Sequence, residues 1–399
     1  MHSTSFHIVN LGCKVNRVEA DSMRAALIAQ GAACVQEEAA DVVIVNTCTV
    51  TGEADKKARK AVRHALSVNP LAEVIVTGCA AALSADVFTE MGERVRVVGK
   101  ADLERELTAA HTNDALRLGQ EFRTRVGIKI QDGCDHACTY CIVHVARGKA
   151  RSVPVSHVMR EARRYFHAGV KEVVLTGIDI GAYEDGDMRL ADLVSKLLDE
   201  ADDACLAGDA PARIRVSSIE PLNVDDALIE LLATSQGRLC RHLHLPLQSG
   251  STKVLREMDR PYSAEEYEAL VARLRERIPG IALSTDVIVG FPGETEVDFE
   301  ETCRLVTKAG FMRLHVFPYS LREGTPAAQR SDQVSADVKR SRAARLRSIG
   351  DERACRDLAA RKGTTELALV QDKVCLAESY HELQMPPGAR TGALVPVIL

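Results

Sequence analysis

The apolar positions of this chain fall into short runs set between amphipathic stretches. SFHIVNL (5–11), DVVIVNT (41–47), AEVIVTG (72–78) and RVRVVG (94–99) have the length and β-branched content of buried strands. Between them, VEADSMRAALIAQGA and GEADKKARKAVRHALS space their apolar residues as helices do. Strands alternating with helices predict a parallel sheet, so residues 1–110 are expected to form an N-terminal α/β domain. The polar stretch 111–123, HTNDALRLGQEFR, reads as a linker. The same rhythm returns over 124–333, with strand-like runs at RVGIKIQ, KEVVLTG, RIRVSSI, RHLHLPL, STDVIVG and MRLHVFP. Six strand–helix units predict a partial (β/α)6 barrel, because a closed eightfold barrel takes about 250 residues. Residues 334–362 read as a basic helix. In 363–399, TELALV, KVCLAES and GALVPVIL, with turns at Pro386, Pro387 and Gly388, read as a small C-terminal β module.

Composition narrows the class. Of 399 residues, 46% are apolar and 27% charged, which suits several buried cores under a solvated surface. No apolar run is long enough to cross a bilayer, and the N-terminus lacks a basic segment followed by an apolar core. A cytoplasmic protein without a membrane partner is the expectation. The net charge of −5 does not suggest nucleic acid, but charge is uneven. Between Lys339 and Lys362 nine Lys and Arg face three Asp and Glu. This strip is either a solvated helix face or a phosphate-facing surface. On the second reading, neutralising Arg342, Arg345 and Arg347 flattens the salt dependence of RNA binding.

Twelve cysteines in a reducing compartment point to metal binding or catalysis more than to disulfides. Cys34, Cys205, Cys240, Cys303, Cys355 and Cys375 have no informative spacing and read as small buried hydrophobes. Cys134, Cys138 and Cys141 form a C-x3-C-x2-C run. Three close thiolates can hold three irons of a cubane and leave the fourth open. Zinc competes for such a set, with His136 or His144 as a fourth ligand. The run follows the first barrel strand, at the mouth where barrel enzymes place their chemistry. Tyr140 sits within it, either to stack on an adenine or to pack the loop. Cys13, Cys48 and Cys79 each follow an apolar strand, and the C-terminal ends of parallel strands share one edge. They converge on a rim either by coincidence or as a ligand set.

The run C-x3-C-x-aromatic-C, continuing into IVHVARGKARS, resembles the radical S-adenosylmethionine superfamily and, within it, the methylthiotransferases; His144 stands where that family has proline. The resemblance implies two [4Fe–4S] clusters, one on Cys134, Cys138 and Cys141 and one on Cys13, Cys48 and Cys79. It implies S-adenosylmethionine bound at the first, with Tyr140, Thr176, Gly177, Ser217, Gln248 and Gly290 among its contacts. It further implies an electron donor such as flavodoxin or ferredoxin, and a sulfur source. LGCKVNRVEADS, NTCTVTGEADKKAR and GFMRLHVFPYSLREGTPAA look most like the branch that converts N6-threonylcarbamoyladenosine beside the tRNA anticodon to its 2-methylthio derivative. The sister branches act on isopentenyl-adenosine in tRNA or on an aspartate of a ribosomal protein. The tail resembles a short TRAM module, an RNA-binding β-barrel. An electron carrier or a tRNA-binding scaffold is the rival class, although carriers hold each cluster with four cysteines.

Overall fold

The computed structural model describes residues 4–49, 51–108, 124–205 and 210–399. The segment read as a linker, 111–123, lies outside them.

Four of the predicted runs become parallel strands in one sheet. With the short strand Ala33–Cys34 at its edge, the order continues through Ser5–Asn10, Val42–Thr47, Glu73–Gly78 and Val95–Val97. Val43, Val45, Val74 and Val76 meet Ala58, Val62 and Ala65 of helix Gly52–Val68 on one face. Ile8, Ile44 and Ile75 meet Ala20 and Met23 of helix Lys14–Ala29 on the other. Runs that are apolar throughout bury both faces, as a covered parallel sheet requires. Thr51 caps the second helix by accepting from the Ala54 N–H at 3.2 Å.

Two three-stranded parallel sheets make the centre. One holds Arg213–Val216, Glu172–Thr176 and Val126–Lys129. The other holds His242–His244, Ala282–Val289 and Arg313–Pro318. Parallel bridges between Ile214 and Leu239 and between Ser218 and His244 join them into a six-stranded arc. Its free edges are Val126–Lys129 and Arg313–Pro318, so the barrel is open on one side.

The strands alternate. Val173, Leu175, Ile214, Val216, Leu243, Leu283 and Val287 belong to the large core shared with the outer helices. The intervening positions Glu172, Arg213, Arg215, His242, His244, Ser284, Asp286, Arg313 and His315 face the other way, into the arc. Gly127, on the first free edge, faces inward with them. A Cβ there would lie 2.4 Å from Val18 Cγ2, so the helix Lys14–Ala29 lies directly against the open side.

The basic helix spans Ala336–Ala360, capped by Ser335, and runs along Arg313–Pro318 and helix Glu296–Ala309. Gly350 lets it approach Leu314, whose Cβ would lie 3.0 Å from an added Cβ. The tail is a four-stranded antiparallel sheet, ordered Glu382–Leu383, Cys375–Ala377, Thr365–Val370, Leu394–Ile398. Among the described residues no helix is long and apolar enough to cross a membrane.

Candidate active site

The loop after the first barrel strand is shaped by its backbone. Gly133 adopts φ +72°, and a Cβ on it would lie 2.0 Å from the Lys149 carbonyl oxygen. That approach lets the Cys134 N–H donate to the Gly148 carbonyl at 3.1 Å. Farther on, the Thr139 hydroxyl donates to the Glu257 carbonyl at 2.8 Å, and the Cys141 N–H to the Cys138 carbonyl at 2.9 Å. The three thiols are thus fixed on a loop tied down at both ends. Burial pushes the Cys134 thiol up to about 12. Burial also raises Cys138, against the pull of Arg260, and raises Cys141. Such thiols become thiolates only when a cation takes the place of the proton.

Arg260 donates from Nη1 to Cys138 Sγ at 3.3 Å. Its other nitrogens hold Glu220 and the Tyr262 hydroxyl. His136 is engaged by Asp179, Nε2 to Oδ2 at 3.3 Å; that hydrogen bond raises its pKa. Among the described residues, His144 Nδ1 is buried without a partner.

The second thiol set sits at the C-terminal edge of the N-terminal sheet. Asn10, Asn46 and Thr77 are register partners across three strands, as are Thr47 and Gly78. Cys13, Cys48 and Cys79 follow these positions directly or by three residues. Gly78, at φ +98°, is held so close that a Cβ would lie 2.3 Å from the Thr47 carbonyl oxygen. Asn16 stitches the first turn to the second, donating to Asn46 Oδ1 at 3.1 Å and to the Thr47 carbonyl at 2.9 Å. Cys13 Sγ donates to Asn16 Oδ1 at 3.2 Å.

One side chain touches both halves. Arg147 ends the short helix Val143–Arg147 that follows Cys141 and is buried. It donates from Nε to Cys79 Sγ at 3.2 Å and from Nη2 to Asn16 Oδ1 at 3.0 Å. Its Nη1 reaches Glu19 Oε1 and Asp132 Oδ1, both at 2.9 Å. Lys100 and Lys129 complete the cluster on Glu19. Burial alone would raise that carboxyl, yet Lys100, Arg147 and Lys129 hold it down at about 2. From the last barrel strand's loop, Arg322 reaches Thr49 and Asp55, the latter at 2.7 Å. The N-terminal sheet edge is therefore fastened to the barrel mouth by buried charges on both sides.

The donor sets suit a cluster better than a single ion. Thiolates around one zinc at about 2.3 Å each stand roughly 3.8 Å apart. Among the described residues neither trio gathers its sulfurs within 4.8 Å of one another. Cys134, Cys138 and Cys141 lie on a fixed loop and Cys13, Cys48 and Cys79 at three strand ends, with one arginine donor on each trio; three thiols are a donor set that a cubane can take.

The other residues singled out from sequence lie as follows. Tyr140 packs on Val254, Met258, Phe291, Tyr319 and Ala327. Thr176 ends its strand and is buried, its carbonyl accepting from the Ile130 N–H at 2.9 Å. Gly177 approaches the Gln131 carbonyl, 2.9 Å from where a Cβ would be. Ser217 is buried just past Val216. Gln248, at φ +65°, accepts from the Ile288 N–H at 2.9 Å. Gly290, at φ +71°, donates to Glu294. All stand at or just beyond the C-terminal ends of barrel strands. Sequence reasoning missed Arg147 and Arg260. The only signal for Arg147 was its place in ARGKARS, the run that continues the cysteine motif, and Arg260 carried none.

The phosphate-facing reading is corrected at Arg342, which is buried; Arg345 and Arg347 are exposed. Arg342 is buried against Glu294 at 2.8 Å and Glu296 at 3.0 Å. Arg345 pairs with Glu300, and Arg347 donates to the Val316 carbonyl at 3.3 Å. Arg342 therefore braces the barrel.

Comparison with known proteins matches residues 128–306 to the radical SAM superfamily and residues 5–99 to an uncharacterized protein family, UPF0004. The chain is 40% identical to a threonylcarbamoyladenosine tRNA methylthiotransferase, MtaB, of Bacillus subtilis, covering 88% of this chain and 81% of the relative. It is 31% identical to the tRNA-2-methylthio-N(6)-dimethylallyladenosine synthase of Bdellovibrio bacteriovorus, over 92% and 84%. Among solved structures, the radical S-adenosylmethionine methyltransferase TsrM of Kitasatospora setae shares the fold. Its TM-score is 0.60 at 15% identity, covering 82% of this chain and 77% of that one.

Proposed function

The chain belongs to the radical S-adenosylmethionine tRNA methylthiotransferases, and from that membership we propose that it converts N6-threonylcarbamoyladenosine beside the tRNA anticodon to its 2-methylthio derivative. The identity to the Bacillus threonylcarbamoyladenosine enzyme, 40% against 31% and 34% for the dimethylallyladenosine synthases of Bdellovibrio and Oceanobacillus, is the observation that carries the branch.

The family's cofactors are S-adenosylmethionine and [4Fe–4S] clusters. On this reading Cys134, Cys138 and Cys141 hold one cluster and Cys13, Cys48 and Cys79 the other. Bound there, the two supply a hydrogen-abstracting radical and a sulfur atom. The chain's own residues hold and insulate them. Arg260 and Arg147 each aim an N–H at a ligand sulfur, and such donors stabilise thiolate charge in a buried site. Tyr140, Thr176, Gly177, Ser217, Gln248 and Gly290 are the proposed contacts of S-adenosylmethionine. The reaction also needs a one-electron donor such as flavodoxin or ferredoxin, and a source of sulfur. C2 of the target adenine is inaccessible in a stacked loop, so the nucleotide is extruded into the barrel mouth.

The test supplies reconstituted enzyme with two tRNAs, one bearing threonylcarbamoyladenosine and one isopentenyl-adenosine, and identifies the nucleosides formed by mass. Methylthiolation of the first is expected. Conversion of the isopentenyl substrate alone overturns the branch and leaves the radical chemistry standing.

A further inference from the structure

The inner face of the barrel carries more positive charge than its acids balance. Glu172 alone serves Arg213 at 2.5 Å, Arg215 at 2.9 Å and Arg125 at 3.8 Å. Asp286 is taken by His244, at 3.2 Å. Lys14 and Arg313 have no carboxylate partner among the described residues. Lys14 is exposed and Arg313 half-buried, so both remain open to a ligand.

Both stand on one platform. The tail strand Cys375–Ala377 runs into a tight turn in which the Tyr380 N–H donates to the Ala377 carbonyl at 3.0 Å. Tyr380 adopts φ +74°, a costly conformation for a bulky residue that persists only where surroundings enforce it. Arg213 and Arg215 enforce it by gripping the carbonyls of Leu376, Ala377 and Glu378 at 2.9 to 3.1 Å. The turn thus carries the Tyr380 ring into the open side of the barrel. The ring has His242 at 4.8 Å, Arg125 at 5.4 Å, Arg313 at 5.6 Å and Lys14 at 5.7 Å from its centre. Lys14 is the residue after Cys13, so this platform adjoins the N-terminal thiol set.

His244, Asp286 and His315 bring three ligand atoms within 4.8 Å of one another, a set that suits a divalent cation elsewhere. Here Lys14 and Arg313 lie beside them and would repel one. The cations gathered around the Tyr380 ring favour an anion.

We propose that Lys14 and Arg313, over the Tyr380 ring, bind the carboxylate of the threonylcarbamoyl substituent and thereby select the substrate. This rests on the threonylcarbamoyl reading above. The carboxylate is the one charged group that distinguishes this substituent from the apolar isopentenyl group. Charge-assisted bonds to two unpaired cations are a recognition that an apolar group cannot satisfy. The tail module accordingly takes part in the substrate pocket.

The test compares anticodon stem-loops bearing threonylcarbamoyladenosine with the same RNA carrying its methyl ester, which removes the charge. Wild-type holoenzyme should prefer the acid, by on the order of 10- to 100-fold in kcat/KM, as expected for losing a charged hydrogen bond. Arg313→Gln and Lys14→Gln should each erode that preference, the pair should abolish it, and Arg313→Lys should restore part of it. Iron content reports whether each variant is intact; if Arg313→Gln loses iron, the Arg313→Lys comparison decides. Equal use of acid and ester by the wild type, or an undiminished preference in the double variant, overturns the assignment. A zinc or manganese ion that binds beyond the cluster iron and is lost in His315→Ala also overturns it. Conversion of isopentenyl RNA alone by the wild type removes the reading on which it rests.

Discussion

Arg147 joins two cysteine sets that the sequence keeps apart, and its energetics follow from what it covers. Removing one partner of a buried charge cluster leaves the rest uncompensated. Arg147→Ala should therefore lower the unfolding free energy by about 3–5 kcal/mol, read by denaturant titration. Glu19 gives the same contact a pH signature. Its folded pKa, about 2, lies below the ordinary 4.5. Its contribution is then fully present above pH 4.5 and is lost as pH falls toward 2, roughly 3 kcal/mol in all. Acid titration of the cluster-free chain should show this loss, and Glu19→Gln should abolish it; an unchanged acid profile in that variant would place the charge cluster elsewhere. The cysteines were legible because their chemistry is local, three thiols in eight residues or one after each strand. Arg147 was not, since Glu19 lies 128 positions away and no spacing rule connects them.

At the scale of the element, the strands were legible and their uses only partly. Apolar runs marked ten of the eleven parallel strands among the described residues, missing the two-residue edge strand Ala33–Cys34, because burial on both faces leaves an unmistakable composition. Their ends were less plain. RHLHLPL yields a strand of only three residues, His242–His244, because the chain then turns through Pro246 toward Gln248. The basic helix shows the limit of reading charge without a partner. Arg342 and Arg345 face Glu294, Glu296 and Glu300 on the neighbouring helix and its preceding turn, a pairing invisible until the two pack. Arg342→Gln is accordingly expected to destabilise the fold by about 3 kcal/mol or more, through the stranded Glu294, while the salt slope of tRNA binding stays as it was. A slope reduced by roughly 0.7 to 0.9, with stability intact, would return this residue to the RNA surface.

For the whole molecule, the decisive feature is that the barrel is open on one side and the N-terminal domain lies against the opening. The domain rhythm was readable, but the docking was not: it depends on Gly127, which in sequence is one small residue inside a strand run. A side chain there would collide with Val18 of the helix that begins at Lys14. Val18 is β-branched and stiff at χ1, so the helix must move as a body. Cys13 caps that helix, and it moves too. The barrel's own thiols, by contrast, are anchored to Met258, Glu257 and Gly148 within the barrel. Gly127→Ala should therefore separate the two proposed activities. Reductive cleavage of S-adenosylmethionine should persist near the wild-type rate, and formation of methylthiolated nucleoside should fall by at least about tenfold, as expected when a reacting group is displaced by about 1 Å. Changing Cys13, Cys48 and Cys79 together to Ala should give the extreme of the same phenotype, with about half the iron of reconstituted wild type, about four of eight. Gly127→Ala itself should keep its full iron, since Asn16 ties the helix to Asn46 and Thr47 and the sheet edge with its ligands shifts along with it. Loss of cleavage and product in parallel, in either variant, would mean that the N-terminal set is not a separate station for sulfur delivery.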